Sequence, residues 1–178
     1  MKRAVTLLLT SFVWFLPTVL AGQAQGGLDP AELLKPLADS WLTYSGDYTG
    51  RRYSLLKQID QTTVKNLTLA WAMRLTAGAG VGTATNVGGE GTGEFSAGAV
   101  ANVKGSILMV NGILYVSAPD NAWAIDARDG HEIWHYYRKT RGGTHIGNRG
   151  LAMWHNYVYM ETPDDYLVSL DALTGKER

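Results

Sequence analysis

A repeat near the end of the chain limits its fold more than any other feature. The segment "GILYVSAPDNAWAIDARDGHEIW" (112–134) aligns with "NYVYMETPDDYLVSLDALTGKER" (156–178). Tyr115 and Tyr159 match at a spacing of 44 residues, and after one inserted residue Gly130 and Gly175 match at 45. A period of this length, with short alternating strands in each copy, is typical of β-propeller blades and excludes helical solenoids.

Each copy predicts the same small antiparallel sheet. The segments "ILYVSA" and "YVYMET" are expected to be half-buried strands, "PD" to turn the chain, and "AWAID" and "LVSLD" to return. Gly130 and Gly175 end the following turn, where we expect the positive φ that glycine adopts without strain. Asp126 and Asp171 open that turn, and their carboxylates are expected to accept backbone N–H bonds.

Tryptophans at related positions predict how the blades pack. Trp134 follows Gly130 by four residues, and we expect its indole to lie flat between neighbouring blades and to bury about 200 Å². Trp71, in "NLTLAWAM", is interpreted as the same element of an earlier blade. The second copy stops at Arg178, just before its own tryptophan would stand. We therefore expect about two blades of a larger ring, truncated at the C-terminus and unstable alone.

Three segments are distinguished along the chain. Residues 1–21 hold Lys2 and Arg3 before an apolar run, which predicts a secretory signal peptide and export to the periplasm; a membrane anchor is the alternative. Residues 22–40 are predicted to be a leader with a short helix capped by Asp29. Residues 41–178 are predicted to be the propeller.

Two stretches inside the propeller segment have distinct compositions. The aromatic, glycine-punctuated stretch that begins at Trp41 is typical of strands. The stretch 77–105 consists mainly of glycine and small residues, which bury little surface, and is predicted to be a long loop.

Composition narrows the partners that the protein can have. The 16 basic and 16 acidic residues balance, so nothing favours a nucleic-acid partner. The absence of cysteine excludes disulfides and thiolate metal sites. The N-terminal apolar run is short and interrupted by polar residues and a proline, so we expect no stable membrane span.

Three stretches in the right order resemble the N-terminal part of pyrroloquinoline quinone (PQQ)-dependent alcohol dehydrogenases. These are "WLTYSGDYTGRRYSLLKQIDQTTVKNLTLAW" (41–71), the tryptophan motif at 124–134, and "GNRGLAMW" (147–154). The resemblance implies an all-β, eight-bladed propeller with PQQ on its axis and Ca²⁺ or a similar ion on the quinone. It also implies a small-molecule alcohol as substrate and a periplasmic enzyme, with cytochrome c as a candidate electron acceptor.

The resemblance also implies cofactor-binding residues. Arg149 in "NRGL" corresponds to the family arginine that hydrogen-bonds the quinone oxygens, unless it caps a strand end or pairs with a surface carboxylate. Gly143 and Thr144 stand where better-known members have adjacent, disulfide-bonded cysteines against the quinone. His145 points at the cofactor or satisfies a local hydrogen bond. Lys104 replaces a common glutamate, and it either pairs with a PQQ carboxylate or is a solvated loop lysine.

The catalytic residues that the resemblance implies do not fall within this chain. In the family, the aspartate base and the ligands of the ion lie beyond the position of Arg178, so no catalytic or metal residue is assigned. Asp164 and Asp165 belong to the turn of the repeat. We expect the chain alone to be inactive.

Two other functions compete with the enzyme. One is an exported noncatalytic β-propeller scaffold for protein interaction, although the signal region lacks the cysteine that lipid anchoring requires. The other is a degenerate PQQ fold that binds no cofactor, which the residues at Lys104, Gly143 and Thr144 favour.

Overall fold

The computed structural model describes residues 27–76, 83–85, 92–94, 103–138, 148–162 and 165–178, and its strands form antiparallel sheets. The four-stranded first sheet contains β3 (Leu108–Val110), β4 (Ile113–Ala118), β5 (Asn121–Asp126) and β6 (Glu132–Tyr137). The three-stranded second sheet contains β7 (Ala152–Trp154), β8 (Tyr157–Glu161) and β9 (Leu167–Asp171). A separate pair consists of β1 (Thr83–Thr85) and β2 (Thr92–Glu94), and two 3₁₀ helices span Pro30–Leu34 and Val64–Asn66. The expected all-β, partial propeller architecture is confirmed.

The two copies of the repeat form equivalent hairpins with different turns. In the first sheet, Ala118 pairs with Asn121, so Pro119 and Asp120 form a two-residue turn with Asp120 at a φ of 63°. In the second sheet, the Thr162 N–H donates to the Tyr166 carbonyl at 2.8 Å, which leaves three residues in the turn. The inserted residue therefore lies in this turn, which the sequence alignment alone does not locate.

The glycine turns have the predicted geometry in both copies. Gly130 has a φ of 78° and Gly175 a φ of 68°. The Asp126 Oδ1 accepts from the Arg128 N–H at 2.8 Å. The Asp171 Oδ1 likewise accepts from the Thr174 N–H at 3.0 Å. Both carboxylates thus replace backbone bonds that the tight turn leaves unmade.

The tryptophans dock on these turns, as the repeat predicts. Trp71 Nε1–H donates to the Ala127 carbonyl at 3.1 Å, and Trp134 Nε1–H donates to the Ala172 carbonyl at 2.9 Å. Each indole covers the glycine of the turn that receives it: a Cβ on Gly130 would lie 2.4 Å from Trp71 Cε3. On Gly175 a Cβ would lie 2.7 Å from Trp134 Cδ2. Trp134 thus joins the first sheet to the second, and Trp71 joins the segment before the sheets to the first sheet in the same way.

The two central strands of the first sheet are buried on both faces. Every residue of β5 is buried, and so are five of the six in β4, where the repeat predicts a half-buried strand. One face packs on the second sheet through Tyr115 and Ala124. The opposite face packs against Trp71 through Val116 and Trp123. Both faces are covered, and this is the physical reason for the difference.

The second sheet keeps the predicted alternation. Its buried residues, which face the first sheet, include Val158, Met160, Val168 and Leu170. Leu167, the first residue of β9, is on the opposite face and is exposed. Strand β8 ends at Glu161, one residue before the predicted end.

The leader crosses the turns of both sheets. The Leu28 N–H donates to the His155 carbonyl at 2.8 Å, and Asn111 Nδ2 donates to the Gly27 carbonyl at 2.6 Å. The first 3₁₀ helix follows, with the Asp29 carboxylate accepting the Ala31 N–H at 2.9 Å. This short segment connects the first sheet to the second.

One expectation for the middle of the chain is wrong, and a second fails at the residues that the structure describes. The residues from Trp41 to Thr76 form no named strand; Trp41 makes one isolated bridge, to Met109 on the edge of the first sheet. Many of their apolar side chains are exposed, including Tyr48 and Leu69, and no described sheet covers them. The stretch 77–105 contains the paired strands β1 and β2, because backbone pairing does not require the large side chains that this stretch lacks.

No helix within the described ranges is long and apolar enough to cross a membrane. The predicted signal peptide, residues 1–21, lies outside the described residues.

A candidate cofactor site where the two sheets meet

A contact between two glycines brings the two sheets together beside their edge strands. Ser106 and Gly150 form a parallel bridge, in which the Ser106 N–H donates to the Arg149 carbonyl at 2.9 Å. A Cβ on Gly105 would lie only 2.6 Å from the Gly150 backbone nitrogen. Gly150 has a φ of 135°, and a Cβ there would lie 2.8 Å from the Ser106 carbonyl oxygen. Only glycine at both positions lets the backbones approach this closely.

This contact places two of the predicted site residues beside each other. Lys104 directly precedes Gly105, and Arg149 directly precedes Gly150. Each pair leads into the first strand of its sheet, which is β3 or β7. Lys104 and Arg149 are distant in sequence, and only the resemblance connected them beforehand. The structure holds them on adjacent backbone segments.

Both side chains are available to a ligand. Lys104 and Arg149 are exposed, and neither forms an ion pair or a side-chain hydrogen bond with another described residue. Two cations on adjacent backbone segments, neither paired with a described carboxylate, produce a positive potential that favours an anion. An Arg fork and a Lys ammonium are both suited to carboxylate and other electron-rich oxygens.

Sequence reasoning missed Asn148, which shapes this site. Its Oδ1 accepts from the Ser117 hydroxyl at 2.6 Å and from the Gly150 N–H at 3.1 Å. Ser117 is only 1% exposed and lies near the end of β4. The signal in the sequence is an asparagine two residues before a glycine, which is typical of an Asx turn.

The other residues singled out from the sequence are placed as follows. Gly143, Thr144, His145 and Asp164 lie outside the described residues. Asp165 has a φ of 65°, and its N–H donates to the Thr162 carbonyl at 3.1 Å, so it belongs to the turn.

One group of possible metal ligands occurs in the described ranges, at the first glycine turn. Ligand atoms of Asp126, Asp129 and His131 lie within 4.8 Å of one another. The Asp126 carboxylate is paired with Arg128, and Asp129 Oδ1 lies 2.7 Å from His131 Nδ1. These contacts belong to the turn itself.

Hydrogen bonds perturb the titration of this turn. The side-chain bond from Arg128 holds the pKa of Asp126 well below its usual range, and backbone N–H bonds act in the same direction. The pKa of Asp129 is lowered first by the backbone N–H of His131. Both carboxylates are therefore ionised in the native turn at neutral pH.

Sheets that dock through a tryptophan onto the next glycine turn define a β-propeller of the tryptophan-docking class. Residues 41–178 match the family model described as the PQQ glucose/ethanol/alcohol dehydrogenase, beta-propeller domain. The chain belongs to this family.

Three relatives illustrate the similarity. The quinohemoprotein alcohol dehydrogenase of Comamonas testosteroni is 37% identical over 147 residues, which cover 77% of this chain and 17% of that protein. The solved quinohemoprotein alcohol dehydrogenase ADHIIG of Pseudomonas putida HK5 superposes with a TM-score of 0.66 at 27% identity, covering 87% of this chain and 21% of its own. A europium-containing methanol dehydrogenase has a TM-score of 0.57 at 25% identity, with coverage of 83% and 23%. The chain thus spans about a fifth of the length of the relatives it matches.

Proposed function

We propose that this chain is part of a periplasmic quinoprotein dehydrogenase that oxidises an alcohol, and that it contributes one side of the PQQ site. The observation that carries the proposal is the contact between Gly105 and Gly150, which holds Lys104 and Arg149 beside each other. Membership in the PQQ dehydrogenase family supports the choice of cofactor.

The described residues fit a flat, multiply anionic quinone. Arg149 and Lys104 supply two exposed cations, and the close contact of the glycines beside them holds their backbone segments together. When bound, PQQ supplies the electron-accepting chemistry of the reaction. The protein has to bind, orient and neutralise it.

The two cations have different roles in this proposal. The planar guanidinium of Arg149 would hold PQQ at its ortho-quinone oxygens, where a cationic hydrogen-bond donor favours negative charge. The ammonium of Lys104 attracts a carboxylate of PQQ as a point charge. Gly143 and Thr144 are proposed to lie against the ring face, where glycine permits close approach.

The remaining components of the proposed enzyme are a signal peptide at residues 1–21, an ion and an electron acceptor. The ion is Ca²⁺ or a similar cation, and the europium-containing relative supports a choice among several ions. Cytochrome c is the proposed acceptor, in keeping with a relative from Thauera butanivorans that is named 1-butanol dehydrogenase (cytochrome c). A complete propeller is required for catalysis, and this chain alone is proposed to be inactive.

The test is a titration of the protein, produced from its full reading frame, with PQQ in the presence of Ca²⁺. Arg149→Ala is expected to weaken PQQ binding by about tenfold to hundredfold, because hydrogen bonds to charged groups contribute about 1.5–3 kcal/mol. Arg74→Ala is the matched control, since Arg74 is also exposed and makes no described side-chain contact. Wild-type protein that neither binds PQQ nor oxidises alcohols would contradict the proposal and favour the noncatalytic scaffold.

A second variant tests the departure at Lys104. Lys104→Glu restores the residue common in the family but reverses the charge beside Arg149. We expect weaker PQQ binding than in the wild type if Lys104 contacts a carboxylate. Lys57→Glu, at another exposed lysine, is the control. Equal binding by wild type and Lys104→Glu would show that Lys104 is a solvated loop residue.

A further inference from the structure

We infer that Asn148 is a positioning residue, which fixes the Arg149 backbone so that its guanidinium is presented to the cofactor. The inference rests on the proposed function, because it concerns the same site. The inference differs from the proposed function because it names a residue, Asn148, that need not touch PQQ.

The side chain of Asn148 connects three parts of the site. Its Oδ1 accepts from the buried Ser117 hydroxyl on β4 at 2.6 Å and from the Gly150 N–H at 3.1 Å. Its Nδ2 lies 3.5 Å from the carbonyl oxygen of Glu161, the last residue of β8. Asn148 therefore attaches the turn around Arg149 to one strand of each sheet.

Arg149 depends on this attachment. Its guanidinium has no described hydrogen-bond partner, so its location is determined by its backbone. That backbone is followed by Gly150, whose φ of 135° lies in a region that only glycine adopts readily. Without the Oδ1 acceptor, the turn gains conformational freedom that PQQ binding must remove.

The burial of Ser117 makes the bond from its hydroxyl important for the local structure. Ser117 is 1% exposed, so loss of its acceptor leaves a buried hydroxyl without its best partner. The second sheet then loses a contact to β4 beside the site, and the distance between Lys104 and Arg149 is less well fixed. We expect Asn148 to affect affinity through both routes.

The experiment combines PQQ affinity with amide hydrogen exchange in the intact protein. Asn148→Ala is expected to weaken PQQ binding about tenfold and to accelerate exchange of the Gly150 N–H. Asn148→Asp retains both acceptor bonds to Oδ1, so it is expected to restore Gly150 protection, while its added negative charge beside Arg149 opposes an anionic ligand. Asn66→Ala is the matched control, because Asn66 is exposed and its side chain makes no described hydrogen bond.

A merely structural role would lower stability without a selective effect on the cofactor. We therefore expect Ser117→Ala, which leaves the Gly150 bond intact, to weaken PQQ binding about threefold in protein that remains folded; this variant also serves if Asn148→Ala fails to fold. Wild-type affinity in Asn148→Ala would overturn this inference alone. Wild-type protein that binds no PQQ would overturn the proposed function as well.

Discussion

The two sheets share a sequence pattern but differ in burial. In the first sheet both faces are covered, by the second sheet and by the segment around Trp71. In the second sheet the residues that face the first sheet are buried, and Leu167 is 68% exposed. The burial of a blade therefore depends on its neighbours in the stack, since the repeat encodes the same strands in both copies.

The glycine turns differ less than the sheets. Both have positive φ at the glycine and an aspartate that accepts backbone N–H bonds. The Asp126 carboxylate is held by Arg128, whereas Asp171 accepts from the Thr174 hydroxyl at 2.9 Å and pairs with Arg178 at 3.3 Å. Tryptophan docking thus requires the same backbone conformation in both turns, and only the side chains that stabilise the aspartate differ.

The largest expected effect comes from the docked tryptophans. Trp134 is 8% exposed and packs with Tyr115 at a ring centroid distance of 6.1 Å, so Trp134→Ala should lower the free energy of unfolding by about 3–5 kcal/mol. Trp71→Ala should cost less, because Trp71 is only partly buried. Urea unfolding of both variants measures the difference. An equal loss of unfolding free energy in the two variants would contradict the expected difference between the two tryptophans.

A pair of strand variants tests burial directly. Ile125 is 3% exposed, and Ile125→Ala should lower the free energy of unfolding by about 2–5 kcal/mol. Leu167→Ala, on the exposed face of the second sheet, should change it by less than about 0.5 kcal/mol. A large loss at Leu167 would mean that this face is covered in solution. The same denaturant titration provides both values.

Substitution of the glycine should destabilise the two glycine turns to a similar extent. Gly130→Ala and Gly175→Ala place a Cβ against an indole at a positive φ, which costs about 1–3 kcal/mol in each case. The midpoint of thermal unfolding should fall by similar amounts in the two variants. A variant that retains wild-type stability would show that its indole shifts away from the glycine.

The smallest expected effect concerns the stability of the fold at low pH. The Arg128 side-chain bond lowers the pKa of Asp126, and the Thr174 hydroxyl lowers the pKa of Asp171. A lowered native pKa stabilises the fold above the unfolded value of about 3.9, and this contribution is lost as the pH falls through the native pKa. Asp126→Asn should therefore flatten the pH dependence of stability below about pH 4, and Asp171→Asn should do so less. Identical acid profiles for wild type and Asp126→Asn would contradict this assignment.

Local rules explain what the sequence predicts well. The positive φ of Gly130, the N–H acceptor role of Asp126 and the docking of Trp134 all follow from a turn of a few residues that occurs twice. The same alternation predicts half-buried strands, which is right for β8 and wrong for β4. Strands covered on both faces read as near-continuous apolar runs, and "ILYV" at the start of β4 is such a run, so the alternation is the wrong pattern to follow there.

The candidate site depends on contacts that no local pattern contains. Lys104 and Arg149 come together only because Gly105 and Gly150 meet across the two sheets. The bond from Ser117 to Asn148 likewise joins residues that are distant in sequence. The resemblance named two of these residues, but the sequence offered no means of finding Asn148's partner.

The leader acts on this site from a distance. It bonds to Asn111 in the first sheet and to His155 in the second, at the ends of β3 and β7 that lie away from Lys104 and Arg149. The two sheets are joined on both sides, by the leader at one side and by the contact of Gly105 with Gly150 at the other. Because both sides are joined, the sheets are held against separation. Removing the residues up to Leu28 would break both leader contacts and leave the distance between Lys104 and Arg149 less well fixed.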